Sequence, residues 1–154
     1  MSANVRPRIV GRVSTPRPHD PIAALNRALS EVIDEVQELK QARWRVAETH
    51  PLRAVLDHLF DDLRAWARLL IEEDDALGVS PLASMPSVAG RTPANPLPGT
   101  ASDDDVRRIV GEHLDRLEQH VAAAVAEQDE DAPRAALGEV DRGLIAHRQA
   151  LSRP

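Results

Sequence analysis

The chain of 154 residues contains no cysteine and no tyrosine, and it has only one phenylalanine and two tryptophans. Without thiols, disulfide bonds, cysteine nucleophiles and thiolate metal ligands are excluded. The shortage of strand-favouring aromatics, beside abundant alanine, arginine, glutamate and leucine, favours an all-α fold. The net charge of −6 argues against a uniformly basic nucleic-acid surface. No apolar run approaches the roughly 20 residues that cross a bilayer, and no secretory signal is recognisable, so a cytoplasmic location is expected.

The first 20 residues differ in composition from the rest of the chain. They hold three prolines and four arginines, with no acidic residue before Asp20. Because such a segment buries little apolar surface, residues 1–20 are predicted to be a flexible tail ahead of a domain at residues 21–152. A basic arm can bind phosphates through charge alone, and the candidate DNA contacts are Arg6, Arg8, Arg12 and Arg17. The alternatives are a solubilising tail or a strand that docks on a neighbouring subunit.

Four segments show apolar residues at helical spacing. The short break between the first two predicts an antiparallel pair. Residues 78–101, between the second and third helices, hold five prolines, and a connection of this length can start the third helix parallel to the second. That topology is the ferritin-like arrangement. The predicted helices are a first from Asp20-Pro21 past Trp44, a second from Pro51 to Leu77-Gly78, a third after Ser102, and a fourth from Asp131-Ala132-Pro133.

Short pieces of the sequence resemble the signatures of one family, in the same order. Lys40-Gln41-Ala42-Arg43-Trp44 is similar to the K-Q-A-H-W motif that ends the first helix of the Dps miniferritins, the DNA-binding proteins from starved cells. The resemblance covers residues 22–152 and suggests a divergent member of that family. The other matches are residues 56–61 to L-H-E-L-F-D, residues 77–82 to L-G-G-x-P-L, and residues 141–144 to the start of S-R-G-L-D.

The resemblance implies a ferritin-like four-helix bundle with a long crossover between helices two and three. It further implies a homo-oligomer, a dodecamer in this family, that stores iron, oxidises Fe(II) with peroxide and binds DNA. In the family, the ferroxidase site uses the histidine of H-W, the histidine of L-H-E and an aspartate four residues later, with two carboxylates further along helix two. Here Arg43 and Asp57 replace the two histidines, while Asp61 matches the aspartate. Arginine has no lone pair for a metal, so the site is predicted to be degenerate.

Four charged residues follow one line of the second helix: Asp57, Asp61, Arg68 and Glu72. One interpretation is a remnant iron site made by the three carboxylates across a dimer interface. The favoured interpretation is a salt-bridge network at that interface, in which Arg43 and Arg68 pair with the carboxylates. The predicted function is Dps-like iron storage with protection of DNA or protection against oxidative stress.

Two other functions remain open at the level of sequence. His58, His113 and His147 come from three helices, and in one hypothesis they converge on zinc or nickel, as in the DinB-like metal-dependent bundles. Residues 51–66 resemble the second helix of those bundles slightly. The other hypothesis is a shell-forming or partner-binding bundle without a metal. Trp44 is interpreted as an interface anchor.

Overall fold

The structure, a computed structural model, describes residues 20–79 and 97–153, and these residues form four α-helices. The fold class and the four predicted helices are confirmed. The four tail arginines, Arg6, Arg8, Arg12 and Arg17, lie outside the described residues, and so does most of the predicted crossover, residues 80–96. The helices are α1 (Pro21–Arg45), α2 (Pro51–Ala76), α3 (Asp103–Glu127) and α4 (Asp131–Leu151).

The helix ends follow from local capping chemistry. A proline occupies the start of both α1 and α2, where the missing N–H costs nothing. At the start of α2, Nδ1 of His50 accepts a hydrogen bond from the N–H of Leu52 at 3.2 Å. Ser102 and Asp105 form a reciprocal capping box at the start of α3. Beyond the end of α2, Gly78 adopts a φ of 76°, a left-handed conformation that favours glycine.

Contacts between the helices fix their directions. Residues 46–50 connect α1 to α2, and the two helices pack as an antiparallel pair. Along α1 and α3, Glu31 pairs with His120 and Glu35 pairs with His113, so these two helices also run antiparallel. It follows that α2 and α3 are parallel and that residues 77–102 join opposite ends of the bundle. This is the ferritin-like topology expected from the sequence.

The core is made mainly of leucine. Each fully buried leucine contributes roughly 2 kcal/mol relative to an exposed one. The indole of Trp66 on α2 packs against α4 at Gly143, which has no side chain to obstruct it. A Cβ atom at that position would fall 2.1 Å from Cζ2 of Trp66. The largest fully buried side chains are Leu25, Leu29, Val32, Leu39, Leu52, Leu56, Leu59, Leu63, Leu70, Leu114, Leu137 and Leu144.

The outer faces of the helices are largely polar. Within the two described ranges, no helix combines the length and the apolar character needed to cross a membrane. Trp44 is a clear exception to the polar surface, since 75% of it is exposed in the last turn of α1. Among the described residues, the most exposed large apolar side chain therefore lies at this end of α1.

Candidate metal centre

At the start of α2, the carboxylate of Asp57 is held by two arginines. Its Oδ1 lies 2.5 Å from Nε of Arg43 on α1 and 3.0 Å from Nε of Arg53 one turn earlier on α2. Arg53 also donates to the backbone carbonyl of Arg43 at 2.7 Å, which ties the Arg53 guanidinium to the end of α1. Burial opposes ionisation of Asp57, but the hydrogen bonds from Arg43 and Arg53 outweigh it and lower the pKa of that carboxyl. Asp57 therefore stays ionised, and its charge is neutralised without a metal.

The remaining members of the charged line lie apart on the exposed side of α2. Asp61, Arg68 and Glu72 are all exposed, and in the part of the chain that the structure describes none of them forms an ion pair. Eleven residues of helix separate Asp61 from Glu72, a rise of about 16 Å, so one ion cannot bind both within a single chain. A site shared by Asp57, Asp61 and Glu72 between subunits stays a prediction, as does an interface role for Arg68.

Cations and aromatic rings share the surface where α1 ends beside α2. The Lys40 ammonium lies 5.9 Å from the centre of the Trp44 ring. The Arg43 guanidinium lies 4.3 Å above the ring of Phe60, and that of Arg64 lies 5.8 Å from the same ring. These five residues are called the cation–aromatic face. Its arginines and exposed indole are the side-chain types that dominate binding energy at protein interfaces.

Another group on α2 faces α4. His58 and Asp62 are four residues apart on α2, and His147 comes from α4. Oδ2 of Asp62 lies 2.7 Å from Nε2 of His147 and 3.6 Å from Nε2 of His58. One ligand atom from each residue lies within 4.8 Å of the other two. Among residues 20–79 and 97–153, no further set of three potential ligands comes together in this way.

The two histidines of this group have different surroundings. The ring of His147 is buried, and the edge of the Trp66 ring contacts it at a centroid distance of 5.9 Å. His58 is 76% exposed, with its ring 5.2 Å from that of His147. The site thus combines one fixed ligand with one ligand that solvent reaches freely. Two imidazoles and one carboxylate are ligands that suit iron, nickel and zinc.

His113, the third histidine of the three-histidine hypothesis, lies elsewhere. Its Nδ1 is 3.2 Å from Oε2 of Glu35 on α1, and both side chains are more than nine-tenths buried. The hydrogen bond with Glu35 raises the pKa of His113 against the opposing effect of burial. Burial in turn raises the pKa of Glu35, although the hydrogen bond with His113 opposes it. The structure therefore brings His58 and His147 together and joins them with Asp62, a residue that the sequence prediction did not include.

A local signal for this group is present in the sequence. The family motif places a histidine and an aspartate four residues apart on helix two. His58 and Asp62 keep that separation, but each lies one residue beyond the position that the motif assigns. The sequence prediction followed the motif register and chose Asp57 and Asp61, because nothing local indicates which neighbouring face of α2 meets α4.

The topology defines the class of protein as a ferritin-like four-helix bundle. Within that class the chain has the Dps-type fold. Dps92 of Deinococcus radiodurans matches with a TM-score of 0.78 and 18% identity, over 85% of this chain and 82% of that one. Dps of Staphylococcus aureus matches with a TM-score of 0.77 and 12% identity. Dps of Microbacterium arborescens, solved in its high-iron form, matches with a TM-score of 0.73 and 23% identity. Each of these two matches covers 89% of this chain and 95% of the other. No family model and no curated protein sequence matches the chain.

Proposed function

We propose that this protein is a cytoplasmic Dps-like homo-oligomer, a dodecamer, that stores iron and protects DNA under oxidative stress, with a degenerate ferroxidase centre. The observation that carries this proposal is the Dps-type fold over at least 85% of the chain. One of the matching structures is of a Dps in a high-iron form. Storage inside a hollow shell depends on assembly more than on any one ligand, so it is compatible with loss of the family's histidines.

The cation–aromatic face supports the assembly part of the proposal. Burying a tryptophan removes about 150–250 Å² from water, which is worth roughly 4–6 kcal/mol of gross transfer free energy. Trp44 leaves most of this unrealised in the single chain, since 75% of it is exposed. A second copy of the chain that covers Trp44 would recover it, with Arg43 and Arg64 already ordered over Phe60. We therefore assign Trp44 and Arg43 to the contact between subunits.

Trp44→Ala is expected to break the wild-type particle into smaller species. An anchoring tryptophan contributes about 2 kcal/mol or more to an interface, which corresponds to a rise of about 30-fold in the dissociation constant of each contact. Light scattering on both proteins at micromolar concentration measures this directly. Ile145→Ala is the matched control, because it removes the second large apolar side chain that is exposed among the described residues, on α4, and should leave the particle intact. A monomeric wild type, or a Trp44→Ala variant of unchanged size, would contradict the proposal.

The electrostatics of Asp57 support the proposal of a degenerate ferroxidase centre. Two guanidinium groups already contact this carboxylate at 2.5 and 3.0 Å, and their positive charge repels a divalent cation at the same point. Asp61, the residue that matches the family's aspartate, is exposed and has no histidine in the motif position. Rapid oxidation of Fe(II) by peroxide that disappears in Asp61→Ala would show that the family site is active after all.

The DNA part of the proposal rests on the charge of the N-terminal residues. Removing residues 1–19 takes away Arg6, Arg8, Arg12 and Arg17 and should abolish binding to duplex DNA at low salt. Four phosphate contacts predict a steep loss of affinity with salt in the full-length protein, with a logarithmic slope of about −4. Gel shifts across a salt series measure both effects. Equal retardation of DNA by the shortened chain would exclude these arginines as the DNA contacts.

A further inference from the structure

We propose that His58, Asp62 and His147 form a site for one divalent transition-metal ion within each subunit, on the line of contact between α2 and α4. The family motif implies a ferroxidase centre around Asp57 and Asp61, and this site is separate from it. All three ligands come from one chain, so the site does not depend on the proposed assembly.

The distances from Asp62 to the two histidines are close to those that a shared cation requires, and all three ligand atoms lie within 4.8 Å of one another. A metal about 2.0–2.1 Å from each ligand atom requires neighbouring ligand atoms to be about 2.9–3.4 Å apart. The observed separations are 2.7 Å between Asp62 and His147 and 3.6 Å between Asp62 and His58, on either side of that range. The exposed ring of His58 is free to make the necessary adjustment, because it is not enclosed by the core.

The charges near Asp62 favour a cation more than those near Asp57 do. Within the described residues, the histidines at 58 and 147 are the only groups paired with Asp62. Arg148, next to His147 in sequence, is directed to α3, where it pairs with Asp115 and Glu118. Among residues 20–79 and 97–153, no guanidinium group therefore pairs with Asp62, in contrast to the two that hold Asp57. The negative charge of Asp62 can therefore be balanced either by a protonated histidine or by a bound metal ion.

The ligand chemistry selects the class of metal. Magnesium and calcium prefer oxygen ligands, whereas imidazole with one carboxylate suits Fe(II), Co(II), Ni(II) and Zn(II). Three protein ligands leave coordination positions open, and the exposed side at His58 provides an entry path from solvent. Because imidazole must be neutral to bind a metal, the affinity should fall as pH is lowered.

Calorimetric titration of the full-length protein with Co(II) alone tests the site. We expect one ion per chain at pH 7.5, and at least about 100-fold weaker binding in His58→Ala and in Asp62→Asn, since even outer ligands of metal sites are worth 10–100-fold. His58 is exposed, so its replacement leaves the fold intact. A second readout uses Trp44→Phe, in which Trp66 is the remaining tryptophan. Co(II) bound to His147, whose ring contacts the Trp66 ring, should quench the fluorescence of Trp66.

Two controls match the test variants closely. Asp61→Asn removes the neighbouring carboxylate, which belongs to the family position, and should bind Co(II) as the wild type does. His120→Ala removes another exposed histidine with a carboxylate partner, Glu31 at 2.9 Å, and should also bind normally. Unchanged binding in His58→Ala, or no bound ion in the wild type, would overturn the proposal. Loss of Co(II) binding in Asp61→Asn would instead place the ion at the family position. The size of the particle, measured by light scattering, tests the proposed assembly separately.

Discussion

His113→Ala is expected to destabilise the bundle by about 3–5 kcal/mol, the cost of removing one partner from a buried ion pair. His113 and Glu35 are 7% and 8% exposed, and they bridge α1 and α3 at 3.2 Å. In the variant, the carboxyl of Glu35 stays buried without the imidazole that compensates it. Urea unfolding followed by circular dichroism gives the free energy of unfolding for both proteins at pH 7.

The same pair predicts how stability depends on pH. The hydrogen bond that the Glu35 carboxylate accepts raises the pKa of His113, and burial raises the pKa of Glu35. Both groups therefore hold their protons more tightly in the folded chain than in the unfolded one. Their contribution to stability is complete below the unfolded-state pKa values and is lost as pH rises through the folded-state values. For His113, the free energy of unfolding should decline as pH rises above about 6.5.

Two further variants separate the pair from other effects. His120→Ala breaks a histidine–glutamate contact on the same two helices, but that histidine is half exposed, so the cost should stay below about 1 kcal/mol. Replacing both Glu35 and His113 with leucine removes the buried charges together and should restore most of the stability while abolishing the pH-dependent decline. If His113→Ala costs no more than His120→Ala, the buried pair is not a major contributor.

The helix boundaries were predictable because their chemistry is local. An acceptor such as Asp20 or Ser102 and a proline such as Pro51 act within three residues of the backbone they cap, so the sequence alone shows them. The ferritin-like topology followed from the length of the connection after α2. The buried pair of Glu35 and His113 was not predictable in this way, because 78 residues separate its members and neither lies beside a local signal.

The three-histidine hypothesis named His58 and His147 but not Asp62, while the predicted iron ligands Asp57 and Asp61 each lie one residue before His58 and Asp62. One residue on a helix is a rotation of about 100°. The apolar stripe of α2 fixes which side is buried, but it does not determine which flank of the stripe meets α4. That flank is set by tertiary packing, above all by Trp66 against Gly143. With this rotation, His58 and Asp62 face His147, while Asp57 turns to Arg43 and Asp61 to solvent.

Gly143→Ala is expected to destabilise the protein by about 1–3 kcal/mol, the usual cost of overpacking a core. Replacing glycine with alanine inside a helix normally raises stability by up to about 1 kcal/mol. The change expected here therefore has the opposite sign to the one that helix propensity predicts. The reason is contact with Trp66, whose Cζ2, Cη2 and Cε2 atoms would lie 2.1, 2.8 and 3.0 Å from the new Cβ. The indole is only 6% exposed, so a shift away from the new Cβ would move it against other core side chains. Urea unfolding measures the change.

Gly111→Ala on α3 is the matched control, because a Cβ atom there meets nothing within 4 Å and the substitution should stabilise the helix. In a Trp66→Leu background, Gly143→Ala should lose most of its cost, which makes the coupling between the two positions measurable. A Gly143→Ala protein as stable as Gly111→Ala would refute the close contact.

Because Trp66 also contacts His147, displacement of Trp66 in Gly143→Ala should weaken Co(II) binding. Lower stability with unchanged affinity would mean that Trp66 packs the two helices together without positioning the ligand.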